Sequence, residues 1–89
     1  MTVYIITYDL KSPGQDYSKL YEKIKSLGDT NHPLESVWFV DTPKRANEIR
    51  DIVRSAMDAN DSVFITRVTS NYGGYANKSL WTWLTSKGL

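Results

Sequence analysis

One carboxylate is notable because it ends an apolar segment. Residues 2–10 read TVYIITYDL, and Asp9 follows a run of Val, Ile and Tyr. A hard cation such as Mg²⁺ takes oxygen ligands and keeps several waters. Bound at Asp9, it could orient a water and offset charge on a phosphate. Alternatively, Asp9 accepts hydrogen bonds from the loop that follows, as in an Asx-turn. The sequence leaves both interpretations open.

Few other side chains could take part in such chemistry. Ser36 could contact a phosphate or order a water, or it could be a small residue at a bulge. Arg67 could contact a phosphate or form a surface ion pair, and Lys11 is predicted to be a second nucleic-acid contact. His32 is the single histidine. Because a general acid or base needs a partner that the sequence does not indicate, we expect His32 to be an exposed turn residue.

Two larger groups of residues have the chemistry to bind nucleic acid. Arg50 and Arg54 are four residues apart and would share a helical face. That face could follow a phosphate backbone, although interleaved acids favour a mixed, solvated surface. The C-terminal aromatic residues could stack on a single strand, contact a partner protein or cover the sheet. They are Tyr72, Tyr75, Trp81 and Trp83.

Length and composition restrict the class of protein. A chain of 89 residues favours one domain with a small core, to which self-association would add burial. The 11 basic and 10 acidic residues disfavour general coating of DNA. No apolar stretch reaches the roughly 20 residues that span a bilayer, and no signal-peptide pattern is visible. The absence of cysteine agrees with a cytoplasmic location.

Apolar spacing and turn residues predict the order of elements. The expected elements are a strand over 3–10, a helix over 16–27, a short strand from 34, a turn at 35–36, a strand to 40, a helix over 43–57 and a strand from 61. Asp16 is a candidate N-cap, and Thr42 before Pro43 is a typical helix start. Residues 29–33 have turn composition, and Gly28 suits a helix C-cap.

This order predicts an α+β fold, a ferredoxin-like β-α-β-β-α-β sandwich over residues 1–69. The first strand is apolar on both sides, whereas helices would cover only one face of the sheet. A homodimer through the other face is therefore expected. Residues 70–89 would be an aromatic tail that packs on the domain or on a partner subunit. The tail is either a short helix capped by Asn77 or a strand in which Trp81 and Trp83 alternate.

Three segments, taken in order, resemble the CRISPR-associated protein 2 family. They are TVYIITYDL with its terminal Tyr-Asp, Glu35-Ser36-Val37-Trp38, and the Asp-Ser-Val-apolar-Ile-x-Arg pattern over 61–67. The same fold includes the virulence-associated protein D toxins and a SinR-like group. The chain length and the Pro-Gly-Gln-Asp-Tyr run make this chain most similar to the SinR-like group. The resemblance spans about 3–68 and leaves the tail unexplained.

The resemblance implies a function as well as a fold. Some family members are metal-dependent endonucleases, and the implied metal ligand is Asp9, one copy from each subunit near the two-fold axis. Ser36 would lie beside Asp9 on a neighbouring strand. The expected function is thus a Mg²⁺-dependent endonuclease, specifically an endoribonuclease. The alternative is a non-catalytic dimeric adaptor that binds protein or nucleic acid, as other members do.

Overall fold

The computed structural model describes residues 2–11 and 17–89. Its elements are β1 (Thr2–Asp9), α1 (Ser18–Lys25), β2 (Asp29–Leu34), β3 (Val37–Thr42), α2 (Ala46–Arg54), β4 (Ser62–Arg67) and α3 (Lys78–Ser86). The strands form one antiparallel sheet in the order β2-β3-β1-β4. The protein is therefore α+β, and this arrangement is compatible with a ferredoxin-like fold. Over the described ranges, no helix has the length and apolarity needed to cross a membrane.

Helices α1 and α2 cover one side of the sheet, here called the helical face. Leu20 and Ile24 are four residues apart in α1, as are Ile49 and Val53 in α2, so each pair lies on one side of its helix. All four side chains are buried. They pack against the buried sheet residues Ile6, Tyr8, Trp38 and Val40. This is the main hydrophobic core.

Helix α3 packs on the opposite side of the sheet, here called the second face. The Asn77 side chain caps it by accepting a hydrogen bond from the Leu80 backbone N–H at 3.2 Å. Leu80 and Leu84 are buried against Val3, beside the partly buried Phe39. The tail is thus a helix, as the first of the two alternatives predicted. The expectation of a homodimer had treated this face as bare, whereas α3 covers its part near Val3.

Lys87 joins the end of α3 to the two strands beneath it. Its Nζ lies 2.6 Å from Oδ2 of Asp29 in β2 and 3.2 Å from Oδ2 of Asp41 in β3. The two acids are cross-strand partners, so one cation lies against both. The Lys87 hydrogen bond lowers the pKa of Asp29, and the same bond raises the pKa of Lys87. We call this arrangement the Lys87 clamp.

Of the caps predicted for α1 and α2, one is untested and the other is wrong. Asp16, the expected first cap, lies outside the described residues. The prediction that Thr42 caps α2 is wrong, because Thr42 is buried in β3 and pairs with Thr2 of β1. Its hydroxyl accepts a hydrogen bond from the Lys44 backbone N–H at 3.3 Å. Helix α2 starts only at Ala46, after Arg45.

Residues 29–33 were predicted to be a turn but belong to β2. β2 is an edge strand, and its pairing with β3 is irregular between Asn31 and Leu34. Proline is tolerated at such positions because an edge strand leaves some backbone groups outside the ladder. Pro33 lies in this irregular part. The predicted turn at Glu35 and Ser36 is present.

Candidate functional site

Asp9 is the last residue of β1 and lies opposite Ser62 of β4. Its side chain is 66% exposed, and its Oδ2 lies 2.5 Å from Nζ of Lys11. The hydrogen bond to Asp9 raises the pKa of Lys11. Both residues were predicted site residues, and the structure brings them together. The Asp9 carboxylate is accessible, but the ammonium group of Lys11 already contacts it.

Ser36 lies close to the end of β1 because of the turn between β2 and β3. The Ser36 carbonyl accepts a hydrogen bond from the Tyr8 backbone N–H at 3.2 Å. Asp9 and Ser36 consequently line the same cavity, of about 190 Å³. Its other lining residues are Tyr8, Leu10, Tyr17, Tyr21 and Glu35. The predicted proximity of Asp9 and Ser36 is thus present in the structure, but Ser36 lies in the turn between β2 and β3 and not on a neighbouring strand.

Tyr8 holds the turn in place from the buried side of this cavity. Its hydroxyl donates to the Glu35 carbonyl at 3.2 Å and accepts from Nε1 of Trp38 at 3.1 Å. Burial raises the pKa of Tyr8 to about 12. The hydroxyl therefore stays protonated at neutral pH. With both hydrogen bonds formed, its evident role is to position the turn.

His32 belongs to the same aromatic cluster. Its ring stacks on Trp38 with centroids 3.8 Å apart and planes 12° apart, and Tyr21 packs edge-on against it. Its Nε2 lies 3.1 Å from the Glu35 carbonyl oxygen. His32 therefore supports the turn from β2. No local sequence signal indicated this cluster, because Tyr8, Tyr21, His32 and Trp38 come from four different elements.

Asp61 is a buried residue that sequence reasoning did not identify as important for the site. Its two carboxylate oxygens accept hydrogen bonds from the backbone N–H groups of Lys11 and Asp58, each at 2.9 Å. It thereby ties the segment after β1 to the segment before β4. The available signal was its position as the polar residue that begins an apolar strand. Asp61 fixes the backbone that carries Lys11 toward Asp9.

Arg67 lies far from this cavity. It ends β4 and pairs with Tyr4, five residues before Asp9 along β1. At the rise of a β-strand, that separation is about 17 Å. The structure therefore unites Asp9, Ser36 and Lys11 but does not bring Arg67 to them. Arg67 instead lines a larger groove beside α3.

The donor set at Asp9 is small for a metal site. Among residues 2–11 and 17–89, no group of three or more His, Cys, Asp or Glu side chains could hold a metal ion. Mg²⁺ can be held by one or two carboxylates together with waters and substrate phosphates. A single carboxylate already paired with Lys11 does not fit Mg²⁺ by itself. Ligands from a second copy or from substrate would be required.

An apolar row crosses the part of the second face that α3 leaves uncovered. Its members are direct cross-strand neighbours on all four strands: Leu34, Val37, Thr7 and Phe64. Such neighbours lie on the same face of a sheet. Leu34 is 54% exposed and Phe64 is 65% exposed. We call these four residues the open row. Its member in β1, Thr7, lies two residues before Asp9.

Comparison with known proteins supports the fold alone. No family model matches the chain. A solved structure, a hypothetical protein TT1823 from Thermus thermophilus, is similar with a TM-score of 0.63. The match covers 85% of this chain and 94% of that protein at 22% sequence identity. Nearly all of the neighbour is thus similar in fold to most of this chain.

Proposed function

We propose that this chain is a ferredoxin-like β-α-β-β-α-β subunit that acts as a homodimer, and that the dimer is a non-catalytic adaptor associated with nucleic acid. The observation that carries the proposal is the open row. Leu34 and Phe64, the exposed large apolar side chains of the row, lie at its two ends, and an exposed apolar surface of this extent is typical of a face that binds a partner. The row is uncharged, so two copies related by a two-fold axis present apolar surface to apolar surface. A second copy is thus a suitable occupant.

The adaptor role is preferred to catalysis because of the contacts of Asp9. Lys11 offers the carboxylate a positive charge in the position that a cation would need. Within the described part of the chain, no group of three or more His, Cys, Asp or Glu side chains could hold a metal ion. Tyr8, the buried hydroxyl of the cavity, has both its hydrogen-bond partners. These features suit a structural ion pair better than a reaction centre.

The dimer is tested by measuring molar mass in solution over a range of concentrations. Wild type is expected at the mass of two chains, and Phe64→Gln is expected to shift toward one chain. Tyr75→Gln is the matched control, because Tyr75 is fully exposed and lies outside the open row. It should leave the mass unchanged. A wild type that remains one chain at every concentration would contradict the proposal.

A second candidate function is the Mg²⁺-dependent endonuclease, in which Asp9 is the metal ligand and Ser36 contacts phosphate. It is favoured by the shared cavity of Asp9 and Ser36 and by the position of Asp9 next to the open row. A dimer through that row would bring two Asp9 carboxylates toward one axis. Substrate phosphates could then complete the ligands of the ion.

The two candidates differ in the fate of the nucleic acid. Labelled RNA and DNA are incubated with the protein and Mg²⁺ or Mn²⁺. The adaptor binds them and leaves them intact. The endonuclease cleaves, and Asp9→Asn abolishes cleavage while the dimer persists. Asp51→Asn, an exposed acid on α2, is the control that should cleave like wild type. Cleavage that Asp9→Asn removes and Asp51→Asn retains would replace the adaptor by the enzyme.

A further inference from the structure

The two edge strands of the sheet differ in how well their outer backbone is protected. β2 carries Pro33, which has no backbone N–H, and its pairing with β3 is irregular between Asn31 and Leu34. Proline and irregular pairing are devices that stop an edge from pairing with another strand. β4 pairs with β1 over six successive residues without a register shift, and it contains neither proline nor glycine. Of the two edges, β4 is therefore the one open to a further strand.

The register shows which backbone groups of β4 point outward. The Val68 N–H donates to the Val3 carbonyl at 2.8 Å, so these two residues form a hydrogen-bonded pair. Hydrogen-bonded and non-hydrogen-bonded pairs alternate along an antiparallel ladder. Every second residue of β4 thus bonds to β1, and those between direct their N–H and C=O groups away from the sheet: Val63, Ile65 and Arg67. Within residues 2–11 and 17–89, no hydrogen bond involves the backbone of these three.

The same three residues project their side chains onto the helical face. Their partners on β1 belong to the main core or pack against it: Tyr8, Ile6 and Tyr4. Val63 and Ile65 are half-buried, so both keep apolar surface beside the edge. Arg67 is exposed, and among the residues that the structure describes it takes part in no ion pair. A strand added at this edge would meet two apolar side chains and one positive charge.

The position of α2 disfavours a second copy as the added strand. Among the strands, β4 is the one that α2 packs against most. Neighbouring strands lie about 4.8 Å apart, whereas packed helices need about 8–10 Å between their axes. Two copies joined through β4 would therefore force their α2 helices together. A single extended segment, with no helix over it, has no such conflict.

We propose that the outer edge of β4 binds an extended segment of another protein, which adds to the four-stranded sheet antiparallel to β4. Its backbone exchanges hydrogen bonds with Val63, Ile65 and Arg67. On the helical face, apolar side chains lie beside Val63 and Ile65, and an acidic side chain pairs with Arg67. In strand addition of this kind, main-chain hydrogen bonds give affinity and alternate side chains give specificity. The dimer proposed above covers a face of the sheet and leaves this edge free.

The probe is an acetylated, fluorescent peptide of sequence Asp-Thr-Val-Thr-Val-Thr, titrated with the full chain and followed by anisotropy. Antiparallel addition places its Asp opposite Arg67 and its two Val residues opposite Ile65 and Val63. The control peptide carries N-methyl groups on both Val residues, which removes two main-chain donors, and it should bind at least tenfold more weakly. Equal binding of the two peptides, or no binding of either, would overturn strand addition.

The exchange rates of individual amides locate the bound peptide. Binding should slow exchange at Val63, Ile65 and Arg67. It should leave Phe64 and Thr66 unchanged, because their N–H groups already bond to β1. Slower exchange along β2 would place the peptide at the other edge, and protection without alternation in β4 would place it on a face. Either result would overturn the assignment to β4.

A charge exchange tests the side-chain contact. Arg67→Glu should bind the peptide about threefold more weakly, and a peptide with Lys in place of Asp should restore the affinity. Lys25→Glu, at an exposed position of α1, makes the same change of charge and should leave both affinities as in wild type. Equal effects of the two variants would show that the peptide responds to net charge alone, and the edge site would be wrong.

The edge site and the proposed dimer can fail separately. Phe64→Gln is expected to lose the dimer and keep the peptide, whereas Arg67→Glu is expected to keep the dimer and bind the peptide weakly. Loss of peptide binding in Phe64→Gln would move the site to the open row and overturn its assignment to the edge. A wild type that is one chain in solution yet binds the peptide at β4 would contradict the dimer and support the edge site.

Discussion

The two faces of the sheet are covered in different ways. On the helical face, α1 and α2 bury a continuous core that includes Ile6, Ile24 and Ile49, each with no exposed surface. On the second face, α3 buries a smaller cluster around Val3 and Leu84. The rest of that face carries the open row and the groove. One face therefore supplies most of the stability, and the other has apolar surface left for binding.

The largest expected effect compares one core residue on each face. Ile49→Ala should lower the free energy of unfolding by about 3 kcal/mol, as is typical for a fully buried Ile. Leu84→Ala removes a similarly buried side chain, yet its cost cannot exceed the free energy that holds α3 on the sheet. We expect α3 to detach while the rest stays folded, because α3 packs on the sheet through the smaller of the two clusters. Urea unfolding followed by circular dichroism measures both variants.

Amide hydrogen exchange shows which part of the structure loses stability in each of these two variants. In Leu84→Ala, faster exchange should be confined to α3, whereas Ile49→Ala should accelerate exchange throughout the sheet. Equal stability losses with equally widespread exchange would show that the two faces form one cooperative unit, and the distinction between them would fail.

A pair of glycines compares the connections of the two regions. Gly28 joins α1 to β2, and a Cβ there would overlap the backbone carbonyl oxygen of Asp41. Gly28→Ala should cost about 2 kcal/mol because backbone must shift. Gly73, in the loop before α3, has no atom within 4 Å of an added Cβ. Gly73→Ala should change stability by less than about 0.5 kcal/mol. If Gly28→Ala lowers stability only slightly, β3 must be able to move away from the added Cβ.

Tyr8→Phe tests the helical face next to the cavity. It leaves Nε1 of buried Trp38 without its acceptor, which should cost about 1–2 kcal/mol. Since the folded pKa of Tyr8, about 12, exceeds its unfolded value of about 10, its contribution is complete below about pH 10. That contribution declines as the pH rises from 10 through 12. Tyr8→Phe should therefore lose less stability than wild type between pH 10 and 12, measured by urea unfolding at each pH. Tyr75→Phe should lose as much stability as wild type.

The smallest effect concerns the Lys87 clamp on the second face. Lys87 is 19% exposed, and it contacts only the end of α3 and two strands, so Lys87→Met should mainly speed amide exchange in α3. Because Lys87 lowers the pKa of Asp29, the clamp acts above about pH 4 and is lost as the pH falls through the lowered pKa. The variant should lose this acid sensitivity. Lys25→Met, at an exposed position of α1, should keep the acid sensitivity of wild type. If Lys87→Met and wild type respond identically to acid, the clamp is ruled out.

Local patterns predicted the elements whose neighbours lie nearby in sequence. The apolar run of β1 predicted a strand, and Asn77 followed by Leu80 and Leu84 predicted a helix as one of two alternatives for the tail. Local patterns did not suffice for β2, because the pairing that makes 29–34 a strand comes from β3. The prediction that Thr42 caps α2 was wrong for a related reason. Pairing with β1 extends β3 through Thr42, although the local sequence there is typical of a helix cap.

The site was less predictable than the fold. The proximity of Asp9 and Ser36 was expected through a family resemblance, and it depends on the pairing of β1 with β3. The ion pair of Asp9 with Lys11 depends on how the chain leaves β1, where apolar spacing gives no information. The hydrogen bond between Trp38 and Tyr8 joins residues 30 positions apart. Such contacts are set by tertiary packing.

The distribution of tryptophans gives each face its own optical reporter. Trp38 is buried on the helical face, whereas Trp81 and Trp83 belong to α3 on the second face. A variant that keeps only Trp38 would report emission from the main core. One that keeps only Trp83, whose ring lies 5.2 Å from the Lys87 ammonium, would report the docking of α3. Stopped-flow fluorescence of the two variants would then measure, during refolding, the rate at which the main core packs and the rate at which α3 docks on the sheet.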